Sequence, residues 1–337
     1  MKGIVGLSLA PDPLPRRRRR AVLLLVLGLS TLLLAACGKA PGLLRPNGVT
    51  AMPDGTLYIM DRGNYRVVHV TAAGQLLGAF GQLGSGPQDI FAGWDIAHDS
   101  AGNLYLCNLV RDGNGELFHD GIKVFDPQGQ FQREVGGVDY RFEEVANTPY
   151  GLDIDDAGRI YVADFGLNQL RILDSQGNLL ATFFGTTGSG ADEFIGLNDV
   201  AVDDARGLVY VTDSVNSRIK QYALTVDSAG GISLTHRLTF GAYGANPGEF
   251  AYPQYLAVDE SRGRLYVNDM GNFRVQVFDS EGHHLGVLEP PEVRSWQGMG
   301  LSVGPDGTVY IADAANNAIW AFGADGGFKG RIEIQEQ

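Results

Sequence analysis

One phrase recurs six times between residues 44 and 337, and it sets what this chain can fold into. Its clearest copy, Pro253–Gly282, reads PQYLAVDESRGRLYVNDMGNFRVQVFDSEG. Leu256 and Val258 mark a first strand, and an acidic turn ends at Gly263. A second strand, Arg264–Asn268, alternates Leu265 and Val267. Next come Asp269-x-x-Asn272-x-Arg274 and a third strand, Val275–Phe278. The turn Asp279–Gly282 leads to a fourth strand around Leu285–Leu288. Apolar residues at alternate positions, interrupted by Asp, Ser and Gly, are the pattern of short strands joined by hairpin turns.

The aspartate that closes the second strand marks each copy. It is Asp61, Asp164, Asp213, Asp269 and Asp313, with Asn108 in its place in the second copy. The intervals are 47, 56, 49, 56 and 44 residues, each long enough for four short strands. A four-stranded meander of this kind has two apolar faces and cannot bury both alone. Radial stacking between two neighbours solves that problem. The expected fold is all-β, a six-bladed β-propeller of four-stranded repeats filling residues 44–337.

The motifs resemble the NHL repeat family. The second-strand motif stands as LYIMDRGNYRV at 57–67, VYVTDSVNSRI at 209–219 and LYVNDMGNFRV at 265–275. Between blades comes FGQLGSGPQDIF at 80–91, FGTTGSGADEF at 184–194 and FGAYGANPGEF at 240–250. The resemblance covers the repeats throughout, with departures. Blade 3 has Leu167 and Gln169 where others have Asn and Arg. Blade 6 keeps Asn316 but has Ala318 in place of Arg. Some eukaryotic NHL propellers bind RNA on a basic face, which is a question of charge.

The chain carries a net charge of −13. Its first 37 residues hold six basic groups, Lys2 and Arg16–Arg20, and one acid, Asp12. The remainder of the chain holds 20 basic and 38 acidic residues, a net −18. Such a surface repels phosphate backbones, so nucleic acid is not an expected partner. No kinase, protease or DNA-binding module is expected beyond the repeats. The chain is read as a monomer.

Residues 1–36 read as a lipoprotein signal peptide and 37–43 as a lipidated linker. Arg16–Arg20 is a basic n-region, and Ala21–Ala36 is an uncharged run shorter than the ~20 residues a spanning helix needs. It ends Leu34-Ala35-Ala36-Cys37, which resembles the bacterial lipobox. That implies a thioether-linked lipid on Cys37, and a protein tethered to the extracytoplasmic face of the cell envelope. The alternative is an uncleaved anchor helix with an incidental cysteine. Cys107 is the one other cysteine, read as a small buried thiol.

Tight turns join first to second and third to fourth strands. Longer second-to-third turns and blade connectors emerge on the other face, the loop face, where binding residues concentrate. Residues entering the innermost strands should line the channel mouth there. They are Asn47, Trp94, Tyr150, Asn198, Gln254 and Met299, each succeeded in turn by Gly48, Asp95, Gly151, Asp199, Tyr255 and Gly300. Amides, two carboxylates and aromatics around a channel suit a ligand funnel. Equally, they could serve only to seal the channel against one another. Half-exposed positions of this kind are expected to affect capture more than melting.

The repeated Asp, Asn and Arg set is read as structural. Asp61, Asp164, Asp213, Asp269 and Asp313 would accept turn N–H groups. Arg66, Arg218 and Arg274 would reach a carboxylate of the same or the next blade. In blade 2, Asp112, Asn114 and Glu116 imitate the start of a calcium loop. Leu117 and Lys123 stand where that loop needs glycine and an acid. No cofactor is expected, Ca2+ being the one candidate. No histidine pair has zinc-ligand spacing, and no G-x-S-x-G or phosphate loop occurs. Amidating lyases of this propeller type use channel histidines with zinc, a pattern absent here.

The functional expectation is a lipid-anchored propeller that binds a protein, peptide or glycan on its loop face. The rival is a calcium-dependent hydrolase or lactonase, with Asn47, Asp95, Asn198 and Asp199 as candidate ligands.

Overall fold

The computed structural model describes residues 42–111, 117–135, 149–291, 293 and 297–335. It contains six four-stranded antiparallel sheets, each built from four consecutive strands. Their innermost strands are Pro46–Ala51, Ala92–His98, Pro149–Ile154, Val200–Asp203, Pro253–Asp259 and Gly298–Val303. The expected six-bladed propeller is the observed fold.

Each turn has a local cause. In the third-to-fourth turns Asp126, Asp174, Asp227 and Asp279 each accept two N–H groups from the residues two and four positions on. The carboxylate thereby fixes the reversal before the strands pair. The blades then meet through their two apolar faces. Tyr105, Cys107, Ile122 and Val124 of blade 2 pack on Leu152, Ile160 and Val162 of blade 3.

The ring closes in the same way. Val49, Ile59, Val68 and Val70 of blade 1 form one core with Tyr310, Ala312, Ile319 and Ala321 of blade 6. Blade 6 supplies its own outer strand, Phe328–Ile332. Beyond it, the Gln335 N–H donates to Gly74 O at 2.8 Å and Gln335 O accepts from Leu76 N–H at 3.1 Å. A Cβ on Gly74 would lie 1.9 Å from Glu333 O, so the latch needs glycine there.

The connectors 80–91, 184–194 and 240–250 are packed, not loose. Phe194 and Phe250 end two of them and are fully buried between blades. In the connector 80–91 that place is taken by Ile90, not by the final Phe91. A cation from the following blade holds each of these three by its carbonyls. Lys123 Nζ donates to Gly86 O and Asp89 O, both at 2.7 Å. Lys220 Nζ donates to Gly190 O and Ala191 O at 2.9 Å and lies 4.0 Å from the Phe194 ring centroid. Burial pulls the Lys220 ammonium down to about 8. Arg274 donates to the carbonyls of Ala245, Asn246 and Glu249 at 2.9 Å.

Candidate functional site

The repeated aspartates sit at the junction between connector and blade. Asp61 accepts the Leu44 N–H (2.7 Å), Asn64 Nδ2 (2.8 Å) and Arg66 Nε (2.8 Å). Asp213 accepts the Ile195 N–H (2.9 Å), Asn216 Nδ2 (2.8 Å) and Arg218 Nε (2.7 Å). Asp269 accepts the Ala251 N–H (2.7 Å), Asn272 Nδ2 (2.9 Å), Arg274 Nε (2.8 Å) and Gln276 Nε2 (3.0 Å). Each arginine thus reaches the aspartate of its own blade. Where the arginine is replaced, another donor serves. Trp320 Nε1 reaches Asp313 at 2.9 Å in blade 6, and Arg171 lies 3.6 Å from Asp164 in blade 3. These cages leave the aspartates buried and facing away from solvent.

The channel mouth differs from its expected half-exposed state. Asn47, Asp95, Asn198, Asp199, Tyr255 and Met299 are buried; Trp94, Tyr150 and Gln254 are partly buried. Trp94 stacks on Tyr150 with centroids 4.5 Å apart, and Tyr150 meets Phe165 at 5.2 Å. The Arg62 guanidinium lies 4.2 Å over the Trp94 ring, a cation–π contact. Sequence reasoning missed Arg62. Its signal was that the residue after the marker aspartate is basic in blade 1 alone, where others have Phe165, Ser214, Met270 and Ala314.

Beneath this lid lie polar atoms without a partner. Trp94 Nε1, Asn47 Oδ1, Gln254 Oε1, the Tyr255 hydroxyl, both ends of the Asn198 amide and Asp199 Oδ1 are all buried and have no hydrogen-bond partner among the described residues. A buried polar atom left unpaired costs about 1–3 kcal/mol, so such a set favours a hydrogen-bonding occupant, water or ligand. Asn47 Nδ2 is engaged, donating to Gly93 O and Trp94 O at 3.4 and 3.2 Å.

Below the mouth the innermost strands present two further rings. The first is Gly48, Asp95, Gly151, Asp199, Tyr255 and Gly300. The second, one pleat further, is Thr50, Ala97, Asp153, Ala201, Ala257 and Ser302. Its small side chains leave space, and a cavity of about 450 Å3 opens toward the tight-turn face. This is the face opposite the one expected to work.

Three carboxylates of consecutive blades organise the channel. Each accepts a backbone N–H from the next blade: Asp95 from Leu152 (3.0 Å), Asp153 from Val202 (2.8 Å) and Asp199 from Leu256 (2.7 Å). Asp95 and Asp153 also accept the N–H of the residue directly after them. Burial pushes Asp95 up to about 6 and Asp153 up to about 7. Asp199 is also raised, by burial first and then by the Asp95 charge. The structure therefore brings Asp95 and Asp199 into one electrostatic unit, and adds Asp153, which sequence reasoning missed. A Cβ on Gly151 would fall 1.9 Å from Asp199 Oδ1, so glycine is what admits that carboxylate.

A metal does not fit this set well. Among the described residues no group of three or more His, Cys, Asp or Glu is placed to hold one. Both oxygens of Asp95 already accept N–H groups, and the unbonded atoms mix donors with acceptors where a calcium site presents oxygens. Asp112, Asn114, Glu116 and Cys37 lie outside the described residues.

A family model described as a 6-bladed beta-propeller matches residues 148–235. Peptidylglycine alpha-amidating monooxygenase of Rattus norvegicus is 26% identical over 301 residues, covering 67% of this chain and 30% of that protein. A probable peptidyl-alpha-hydroxyglycine alpha-amidating lyase of Caenorhabditis elegans is 30% identical over 136 residues, covering 39% and 37%. The chain spans less than a third of the length of the vertebrate relatives. Among solved structures, a gluconolactonase of Xanthomonas campestris superposes with a TM-score of 0.59 at 20% identity, over 83% of this chain and 86% of that one. A streptogramin B lyase gives 0.55 at 13% identity, over 89% and 85%. At such identities the likeness to the solved structures is one of fold, and it is the fold the six sheets display: a six-bladed β-propeller.

Proposed function

We propose that this protein is a peptide-binding propeller of the cell envelope, built of NHL repeats and tethered by a lipid on Cys37. The unbonded polar set at the loop-face mouth carries the reading. A peptide backbone offers both N–H donors and carbonyl acceptors, which is what Asn47, Asn198, Gln254 and Tyr255 together lack. Trp94, Tyr150 and Arg62 form the apolar and cationic rim that interface hot spots favour. The amidating relatives carry peptide substrates in their names, which agrees with this choice of ligand.

Arg62→Ala and Trp94→Ala are each expected to weaken peptide capture from a random library at least tenfold. Arg62→Ala should melt within about 1 kcal/mol of wild type, since it removes one partly exposed contact. Capture at wild-type strength by both variants would overturn the reading. The tether is tested separately. Cys37→Ser should move the protein to the soluble fraction or leave an uncleaved precursor, because each buried acyl CH2 contributes ~0.8 kcal/mol to anchoring. Unchanged mass and fractionation would refute it.

A second reading has its own support. Carboxyls poised at about 6 and 7 are what general acid–base chemistry near neutral pH requires. The rival is therefore a hydrolase or lyase acting in the channel. Turnover of a lactone or an α-hydroxyglycine peptide, abolished by Asp153→Asn, would favour it.

A further inference from the structure

The cavity on the tight-turn face has a charge pattern that the peptide reading does not use. Eight of its lining residues are Asp or Glu and none is Lys or Arg. Asp95, Asp153 and Asp199 lie deep; Asp156, Asp204 and Glu260 form a rim. The rim is built, not incidental: Asp204 accepts the Asp156 N–H at 2.5 Å, and Glu260 accepts the Asp204 N–H at 2.8 Å. The nearby arginines are committed elsewhere. Arg159 pairs with Asp155 at 2.5 Å, Arg206 with Asp203 at 3.2 Å and Arg262 with Asp259 at 3.0 Å. The deep acids thus form no ion pair among the described residues, and at the rim the Arg159 charge, already paired with Asp155, also acts on Asp204.

An acidic cluster alone is a solvated surface. Here a second observation points to an occupant. Asp199 is 3% exposed, lines the cavity, and its Oδ1 has no hydrogen-bond partner among the described residues. Burial and the Asp95 charge both oppose its ionisation, and a cation seated in the cavity would offset both.

The cavity's size and chemistry select the cation. A volume of about 450 Å3 is far more than one ion needs, against ~30 Å3 for a water molecule in the liquid. The deep carboxylates spend much of their coordination on backbone N–H groups, which suits hydrogen bonding at ~2.8 Å more than dense oxygen coordination. Leu152, Val200, Ala201 and Ala257 offer apolar wall between depth and rim. A chain of methylenes ending in ammonium groups matches both parts. We infer that this vestibule receives a linear alkylammonium cation, one ammonium among Asp95, Asp153 and Asp199 and the alkyl chain passing the Asp204–Glu260 rim. Two sources share that chemistry: a free polyamine, and a lysine side chain presented by a peptide.

The test is titration calorimetry on the full-length protein in detergent at about 150 mM salt, an ionic strength that screens long-range attraction. Spermidine and a Gly-Lys-Gly peptide are the probes. Spermidine or the peptide is expected to bind, and the tighter of the two identifies the source. Asp199→Asn and Glu260→Gln should each weaken binding at least tenfold, while the surface control Glu281→Gln should not. Glu260→Gln should leave peptide capture at the loop face intact, which separates this inference from the proposed function. The inference fails if neither probe binds. It fails if Glu281→Gln weakens binding as much as Asp199→Asn, which would mean diffuse attraction to an acidic surface. It also fails if calcium alone raises the melting temperature and Asp199→Asn abolishes that effect.

Discussion

Asp269→Ala is expected to destabilise the propeller by about 1–3 kcal/mol without touching ligand capture. The carboxylate accepts four donors from three directions: the connector at Ala251, the turn at Asn272, and the strand residues Arg274 and Gln276. Truncation leaves the buried Arg274 head without its charge partner and the Ala251 N–H without an acceptor. Because Arg274 also holds the carbonyls of Ala245, Asn246 and Glu249, the connector loosens with it. Asp213→Ala and Asp61→Ala should cost a similar amount, since the same three kinds of donor converge on each. Urea unfolding of the three variants measures this. An Asp269→Ala protein that unfolds like wild type yet loses capture would make the repeated aspartates the site and reverse the assignment.

These cages explain why the fold was legible. A residue needed repeatedly in the same local frame leaves a periodic trace, and period-two alternation between the traces gives the strands. The connector clamps were harder to see. Lys123, Lys220 and the Arg274–Gln276 pair do one task with different residues, so no single letter recurs. The channel was harder still, because function there rests on what one blade does differently. Asp153 occupies a position that Thr50, Ala97, Ala201, Ala257 and Ser302 fill with small side chains. Aligned copies show an acid among small residues, and that contrast was the available signal. Burial was not available. Which face the small second ring opens to, and that Asp199 Oδ1 lies against Gly151, are properties of six strands brought together, not of any one of them.

Lowering the pH from 8 to 5 is expected to stabilise this protein, against the habit of acidic proteins with paired carboxylates. In the unfolded chain an aspartate titrates near 3.8, whereas folded Asp153 is held at about 7 and Asp95 at about 6. Between those values the native state keeps protons the unfolded chain has released. Stability from these groups is full below about 4 and is lost as the pH rises through about 6 to 7. The turn carboxylates act oppositely. Asp54, Asp174 and Asp306 are lowered by hydrogen bonds from the turns they fix, and their contribution fades only as the pH falls below about 4. The melting temperature should therefore peak near pH 5. Asp199→Asn isolates the channel's share. Its amide oxygen can keep the Leu256 N–H at the place of Oδ2, and its Nδ2 takes the place of the unbonded Oδ1. The variant loses a buried group whose ionisation burial and the Asp95 charge both oppose, and it keeps its hydrogen bond. A tenfold change in proton affinity corresponds to about 1.4 kcal/mol. In a chain of this size that raises the melting temperature by roughly 2 °C. At pH 5 the gain should shrink toward zero. A variant that melts lower than wild type at both pH values would mean that Asp199 Oδ1 makes a favourable contact in solution. A variant more stable at pH 8 yet unable to bind spermidine would show that the charge is kept for its ligand, at the expense of the empty fold.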